Sequence, residues 1–255
     1  MALNIEELIQ KKPHLEGPFR LYGKILEYTK AARELFVPMS AGPGSIALKA
    51  YPPDSIEPIL RHFASIIGMP DDSLTPLQQA LELGEIDFTR LPFHEVPAFS
   101  LPYPEEDLGT LLFILSKPYF LSLKDNSGLH PGTWKEGRCP VCHAKPSLSS
   151  LDQEQARRLS CSFCAMTGEF DRTSCPLCLN SDTSRMNMVT FDGEEGFSIH
   201  TCDACGSYIK TVEAGMLAGM TPDIADLLSL PMDIVMQEKG YVRHSPNPIG
   251  MVRMI

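Results

Sequence analysis

The chain's eight cysteines constrain its fold more than any other feature, because every one of them belongs to a Cys-x-x-Cys pair. Two cysteines in such a turn can point at one metal ion, and two turns together complete the four-sulfur shell typical of zinc or a single iron. All four pairs lie within residues 138–212 and predict two metal sites in tandem. The pairs are Cys139/Cys142, Cys161/Cys164, Cys175/Cys178 and Cys202/Cys205.

The spacing of the pairs indicates how they combine. Eighteen residues separate the first pair from the second, ten separate the second from the third, and twenty-three separate the third from the fourth. Eighteen or twenty-three residues can hold a β-hairpin, whereas ten are short for a structural module. We therefore expect the first pair to combine with the second and the third with the fourth, each set binding one ion of zinc or iron. An interleaved arrangement stays open.

Other uses of cysteine fit this pattern less well. A thioredoxin-like redox pair usually occurs once, at the start of a helix, and disulfide frameworks belong to oxidising compartments. The Met1–Asn4 start does not lead through a cationic into an apolar segment, so no signal peptide is expected. The best apolar run, Leu111–Leu115, is far below the roughly 18 residues of a membrane span. We expect a soluble cytoplasmic protein that does not enter the membrane.

The charge of the chain argues against nucleic acid as a partner. Its net charge is −10. Residues 137–212 carry nine acidic and seven basic side chains, and two divalent ions with eight thiolates would add further negative charge. Phosphate binding requires a concentrated basic surface, so no nucleic-acid partner is expected.

The first half of the chain has helical patterning. Apolar residues recur at three- and four-residue spacing over residues 19–36, before Pro38 and a glycine-rich segment. A second helix is predicted from a cap at Asp54 or Ser55 to Gly68, and shorter ones over Pro76–Leu83 and 105–116. No strand or hairpin is expected before residue 130. Residues 1–130 are therefore predicted to form an all-α domain.

The second half is predicted to contain two cysteine modules and a C-terminal helix. A polar linker over 124–132 leads to Trp134, which we expect to be a packing residue. In the second module, strands at 186–191 and 197–201 flank a turn. Thr221 caps a final helix that Pro231 kinks or divides. The predicted fold is thus α+β and multidomain, with bounds of 1–130 for the helical domain, 134–172 and 173–212 for the two four-cysteine metal modules, and 213–255 for the C-terminal helix and tail.

No catalytic constellation is evident in the sequence. No Ser/His/Asp grouping, phosphate-binding glycine loop or paired carboxylates stand out, so we expect a protein without enzymatic activity. His143 and His200 lie close to cysteine pairs and could replace a thiolate. Four cysteines already saturate each ion, so both histidines are predicted to lie at the rim of the sites.

Several runs together resemble the formate dehydrogenase accessory protein family, FdhE. The segment Trp134–Cys142, followed by Pro146, is similar to the family's entry into the cysteine region. The segment Cys202–Lys210 resembles its last cysteine turn, and the ending with Gly240-Tyr241 and Asn247-Pro248 also fits. The resemblance spans about residues 134–250.

This resemblance implies a pair of rubredoxin-like or zinc-ribbon modules whose eight cysteines hold iron or zinc. It also implies a role in maturing formate dehydrogenase through contact with the catalytic subunit. The chain departs from the family pattern after three of the cysteine pairs, where His143, Ala165 and Leu179 stand in place of glycine. These departures favour a structural ion over rubredoxin-like redox behaviour.

Three functions are weighed at this point. The first is a maturation factor that binds the immature catalytic subunit of formate dehydrogenase. Tyr208 and Lys210, beside the last cysteine turn, are its exposed candidates for contact with that subunit, and packing of Tyr208 within the module is the alternative for that residue. The second is an iron-containing, rubredoxin-like electron-transfer protein. The third is a zinc-ribbon adaptor in a nucleic-acid machine, which the acidic composition disfavours.

Overall fold

The computed structural model describes residues 4–33, 56–70, 72–86, 91, 101–129, 132 and 134–254. The described chain has a helical N-terminal region, a six-stranded sheet that carries both cysteine clusters, and two C-terminal helices. This confirms the α+β fold class predicted from the sequence. The individual domain bounds stay predictions.

Within its described residues, the N-terminal region contains five α-helices: α1 Ile5–Lys11, α2 Glu16–Arg33, α3 Ile56–Ile67, α4 Thr75–Glu82 and α5 Glu105–Asn126. Each of the four predicted helices has a counterpart among them. The predicted end of the first helix beyond Arg33, and the proposed caps Asp54 and Ser55, lie outside the described residues. No helix among the described residues is long and apolar enough to cross a membrane.

Helix α5 is longer than predicted and passes through Pro118. The expectation of a helix end near residue 116 and of a linker from residue 124 was therefore wrong. A proline inside a helix removes one backbone hydrogen bond. Here Pro118 and Phe120 are buried, so the packing of this segment offsets that loss. Tyr28 of α2 also donates its hydroxyl to the Leu115 carbonyl, 3.2 Å away, and ties α5 to the helical core.

The sheet has the strand order β3-β2-β1-β6-β5-β4. Its strands are β1 Leu148–Leu151, β2 Arg157–Ser160, β3 Thr167–Phe170, β4 Met186–Val189, β5 Phe197–Cys202 and β6 Ser207–Glu213. Strands β1–β3 come from the first cysteine module and β4–β6 from the second, and each set is antiparallel. The two sets meet where β1 runs parallel to β6, with Leu148 opposite Lys210. The predicted modules therefore share one continuous sheet.

The C-terminal part folds back onto this sheet. Helices α6 Pro222–Leu228 and α7 Leu230–Glu238 follow β6, and Thr221 accepts a hydrogen bond from the Ile224 amide at 3.4 Å, as expected for a cap. The predicted helix is divided in two, with Pro231 in the first turn of α7. The tail also joins the sheet, where Val242 forms an isolated parallel bridge with Ser207 of β6.

Aromatic packing joins the helical region to the first cysteine module. Phe163 lies between Phe113 and Phe120 of α5, with ring centroids 4.9 and 5.4 Å apart and near-perpendicular ring planes. Edge-to-face pairs of this kind stabilise the folded state by more than the burial of their apolar surface alone. Trp134 is buried, as expected of a packing residue, and its amide donates to the Glu169 carbonyl of β3 at 2.7 Å.

A buried network of four charges fixes the C-terminal helices and tail to β6. Lys210 Nζ lies 2.5 Å from a carboxylate oxygen of Asp226 and 2.6 Å from one of Asp233. Arg243 contacts the same two carboxylates at 2.6 and 3.0 Å. All four side chains are almost wholly buried, and Tyr208 donates to Asp233 at 2.6 Å.

The same network corrects one expectation from the sequence. Tyr208 and Lys210 were expected as exposed contact residues, but both are buried, and for Tyr208 the alternative of packing within the module holds. Burial alone would raise the pKa of Asp233; the charges of Arg243 and Lys210 outweigh it and hold the pKa below its usual value. Tyr208 and Lys210 therefore have a structural role, and their side chains are not available to a partner.

We predict that Asp233→Asn destabilises the metal-loaded protein by about 3 kcal/mol, because it leaves two buried cations with one carboxylate. Urea unfolding of the full chain measures this change. The matched control is Glu106→Gln, which breaks the exposed pair of Glu106 with Arg253 and should change the free energy of unfolding by less than ~0.5 kcal/mol. Equal effects of the two substitutions would contradict the role assigned to the network.

Candidate metal centres

All four cysteine pairs adopt the same backbone turn. In each turn, the amide that follows the second cysteine donates to the carbonyl of the first cysteine: His143 to Cys139, Ala165 to Cys161, Leu179 to Cys175 and Gly206 to Cys202, at 2.8, 3.0, 2.9 and 2.9 Å. This closed turn brings the two thiols of a pair to one side.

The residue that closes each turn has a left-handed backbone conformation. The φ angles are +59° at His143, +56° at Ala165, +64° at Leu179 and +65° at Gly206. Only glycine adopts this region without steric cost. Three of the four turns therefore hold a residue with a side chain under backbone strain.

The first cluster consists of Cys139, Cys142, Cys161 and Cys164, whose ligand atoms all lie within 4.8 Å of one another. The Cys139–Cys164 and Cys142–Cys161 sulfur pairs are each 3.4 Å apart. All four side chains are buried. The hairpin β1–β2 lies between the two turns and places them against each other.

The second cluster consists of Cys175, Cys178, Cys202 and Cys205, again within 4.8 Å of one another. The Cys175–Cys205 sulfur distance is 3.9 Å and the Cys178–Cys202 distance is 3.8 Å. The amide of Leu177 donates to the Cys175 sulfur at 3.4 Å. Cys178 is exposed and Cys205 half-buried, so this cluster is open to solvent on one side.

The sulfur positions fit a tetrahedral ion. Metal–sulfur bonds of ~2.3 Å in a tetrahedron give sulfur–sulfur edges of ~3.8 Å, which is close to the spacing in both clusters. A disulfide would require a separation of ~2.05 Å, and all eight cysteines are free thiols in this structure. The clusters follow the sequential grouping, first pair with second and third with fourth. Each cluster could hold one metal ion, and four thiolates in this geometry suit either zinc or iron.

The thiols of a cluster differ in protonation: hydrogen bonds from Cys142 and the other neighbouring cysteines hold the pKa of Cys139 below its ordinary value, while burial has the opposite effect on others. Burial raises the pKa of Cys175 to about 12, and burial likewise raises the pKa values of Cys142 and Cys161 well above the ordinary value of a thiol. Without a cation these thiols would stay protonated at neutral pH. A divalent ion at the centre stabilises the thiolate form, so folding and metal binding are linked.

The two histidines near the clusters do not join them. His143 is exposed on its turn, and its carbonyl accepts from Arg138 at 3.1 Å. His200 lies on β5 and its Nδ1 is hydrogen-bonded to Arg157. Neither belongs to a group of possible ligands among the described residues.

Arg157 is a site residue that the sequence reasoning missed. It lies on β2 with 4% of its surface exposed, and its Nη1 donates to the Ser174 carbonyl, next to Cys175, at 3.1 Å. Burial lowers its pKa to about 10, and burial together with the charge of Arg157 lowers the pKa of His200 to about 4. The adjacent pair Arg157-Arg158 carries no signal for which side chain is buried.

The comparisons with known proteins agree with this geometry. Residues 159–249 match the family model described as FdhE, C-terminal domain. An FdhE homologue from Aquifex aeolicus is 29% identical over 220 residues, which are 82% of this chain and 76% of that protein. An FdhE homologue from Haemophilus ducreyi is 34% identical over 114 residues, and the match spans only 37% of that protein.

A solved structure shares the fold. The crystal structure of the FdhE protein from Pseudomonas aeruginosa matches with a TM-score of 0.56 at 20% identity, over 92% of this chain and 87% of that one. The resemblance to the FdhE family, drawn first from the sequences around the cysteine turns, is confirmed by the family model and the relatives together.

We predict that Leu179→Gly stabilises the metal-loaded protein by about 1 kcal/mol, because it relieves the left-handed backbone strain. Gly206→Ala is the reciprocal substitution and should destabilise the protein by a similar amount. A methyl group there meets no atom within 4 Å, so the backbone conformation alone sets its cost. Urea unfolding of both variants at fixed metal content measures the effects, and the same sign for both changes would rule out this explanation.

We also predict two ions per chain with different rates of release. A chelator should remove the ion of the second cluster first, since Cys178 is exposed while the first cluster is fully buried. Cys175→Ala should lower the metal content from two ions to one and spare the first cluster. Elemental analysis during chelation of the wild type and the variant checks both expectations. Simultaneous loss of both ions would show that the clusters do not act separately.

Proposed function

We propose that the chain is a cytoplasmic accessory factor for formate dehydrogenase that binds the immature catalytic subunit and assists its maturation without catalysing a reaction. The observation that carries this proposal is the pair of four-cysteine clusters on one sheet, in a chain similar to FdhE proteins over most of its length. The eight cysteines named above are the proposed ligands of two ions, iron or zinc.

The proposed role of the ions is to hold a protein-binding surface in shape. Strands β1–β4 have four residues each, so the sheet offers little apolar area of its own. Small modules of this kind depend on their metal for folding. Loss of an ion would therefore unfold the module around it and disrupt the binding surface.

The second module offers a surface suited to protein contact. Leu179 follows the exposed Cys178 in its turn and is 47% exposed, and Met188 on the edge strand β4 is 65% exposed. Two large apolar side chains exposed on one small module are candidates for contact with another protein. We propose that these residues, in place of the buried Tyr208 and Lys210, contact the catalytic subunit.

The exposed sulfur of Cys178 also supports a second candidate, the iron-containing electron-transfer protein. An iron held there would lie at the surface, where a redox partner could approach. This candidate requires a coloured protein that is reduced and reoxidised reversibly. A colourless protein isolated from its own cells with two zinc ions would exclude it.

The decisive experiment is anaerobic co-purification of the full chain from its own cells, with mass spectrometry of partners and metal analysis of the same sample. We predict recovery of the catalytic subunit of formate dehydrogenase. Met188→Asp should lower this recovery at least fivefold, because it places a charge in a desolvated contact. Leu83→Asp is the matched control, since Leu83 is 74% exposed on the helical region, outside the proposed surface.

Two outcomes would count against the proposed function. Equal recovery of the catalytic subunit with Met188→Asp and Leu83→Asp would show that Met188 of the second module does not contribute to the contact. Recovery of transcription or ribosomal components in place of the catalytic subunit would support the nucleic-acid adaptor instead.

A further inference from the structure

The two edges of the sheet differ in how they are covered. Beyond β3, the Trp134 amide donates to the Glu169 carbonyl at 2.7 Å, and the Glu169 amide donates to the Gly132 carbonyl at 3.1 Å. The chain therefore covers this edge itself. At the opposite edge, no described segment pairs with β4 on the side away from β5. An uncovered edge strand presents backbone groups with which another strand can pair.

The register of β4 shows which of its backbone groups face outward. The Asp203 amide donates to the Arg185 carbonyl at 2.8 Å, and Met188 lies opposite His200. Pairs with and without backbone hydrogen bonds alternate along an antiparallel ladder, so Met188, three positions after Arg185, belongs to a pair without them. The amide and carbonyl of Met188 therefore point to the open edge, beside a side chain that is 65% exposed.

An acidic groove of about 790 Å³ begins at this open edge, since Met188 is among its lining residues. No lysine, arginine or histidine of the described chain lines it. Within the described residues, the ion pair of Glu194 with Lys12, at 2.5 Å, involves the one groove carboxylate that has a cationic partner. The acidic residues that line the groove are Asp152, Asp192, Glu194, Glu195 and Glu213.

These charges determine which kind of strand fits the edge. The chain has a net charge of −10, and residues 182–195 hold four acidic side chains and one basic side chain. A second copy that paired its own β4 with this edge would bring like charges together, which is unfavourable. A segment that carries lysine or arginine would instead neutralise the groove.

We propose that the open edge of β4 binds an extended, cationic segment of a partner polypeptide as a seventh strand of the sheet. Main-chain hydrogen bonds to Met188 give this segment its register, and its basic side chains lie against the acidic groove. The Met188 side chain contacts the apolar side chains that alternate with the basic ones. The inference rests on the proposed function, because it names the kind of segment through which the partner is bound.

The test measures the binding of short peptides to the metal-loaded full chain by titration calorimetry. One peptide alternates valine and lysine over six residues. Its control has the same side chains and charge but a methyl group on every backbone nitrogen, so it has no amide hydrogen to donate. The unmethylated peptide should bind one site at least tenfold more tightly than its control. A peptide that alternates valine and glutamate should not bind.

Met188→Pro and Met188→Ala are a matched pair of variants for the backbone contact. Both remove the side chain, but only proline removes the outward amide hydrogen, and edge strands tolerate proline. Met188→Pro should bind the valine–lysine peptide at least fivefold more weakly than Met188→Ala.

A second set of variants tests the contribution of charge. Asp192 and Glu195 are exposed and form no ion pair within the described chain, so Asp192→Asn combined with Glu195→Gln should spare the fold. This double substitution should weaken the valine–lysine peptide several-fold and reduce the salt dependence of its binding. Glu85→Gln is the control, since Glu85 is exposed after α4 and should leave the affinity unchanged.

Three outcomes would overturn the inference. Equal affinity for the two lysine peptides would mean that charge alone binds them, and equal affinity of the two Met188 variants would exclude pairing at this edge. A dimer that excludes the peptide and that Met188→Pro dissociates would assign the edge to a second copy. If Met188→Pro fails to hold both ions, the methylated peptide and the Asp192/Glu195 variant decide the question.

Competition relates the edge to the proposed function. Displacement of the co-purified catalytic subunit by the valine–lysine peptide, but not by its methylated control, would support both. Survival of the complex at saturating peptide would overturn the inference, as would recovery of the subunit by a chain that binds no peptide, and both results leave the proposed function standing. Failure to recover any catalytic subunit with a chain that binds the peptide would count against the proposed function alone.

Discussion

The gathering of four thiols within 4.8 Å, twice in one sheet, is the constraint on which this fold depends. Buried thiolates repel one another and lose their hydration, whereas buried neutral thiols make only weak hydrogen bonds. A divalent cation resolves this conflict, because it replaces the lost solvation with direct bonds. The short strands around the clusters align only where the cysteine turns place them. Folding of the sheet is therefore coupled to binding of its ions.

The two clusters share a backbone turn but differ in their surroundings. The first is sealed by its own module and by the Phe163 contacts with α5, so its ion would contribute only to stability. The second has an exposed sulfur, a strained turn at Leu179 and an uncovered strand edge at β4. Sites that bind partners or ligands commonly combine exposure with strain and unmet hydrogen-bonding groups. The second module therefore carries the proposed contact surface, and the first module supports the sheet on which that surface lies.

The parts of this structure that are local in sequence were predictable, and the parts that depend on distant contacts were not. The Cys-x-x-Cys turn is determined by a few residues, so the cysteine grouping and the β4–β5 hairpin follow from spacing and composition. The parallel pairing of β1 with β6 joins segments about sixty residues apart, and no pattern in either segment specifies it. Lys210 was expected at the surface because a single lysine gives no sign of two buried carboxylates. The burial of Arg157 beside the second cluster was not predicted, because three segments that are separate in sequence form its surroundings.

The buried charge network extends the influence of the second cluster to the end of the chain. Arg243 follows Val242, which exchanges backbone hydrogen bonds with Gly206 and Tyr208 at 2.9 and 3.2 Å. Gly206 closes the last cysteine turn, so the tail is held against the turn that carries Cys202 and Cys205. Lys210, four residues further along β6, is held by the same two carboxylates that hold Arg243. The network therefore links α6, α7 and the tail to the strand that follows the last cysteine turn.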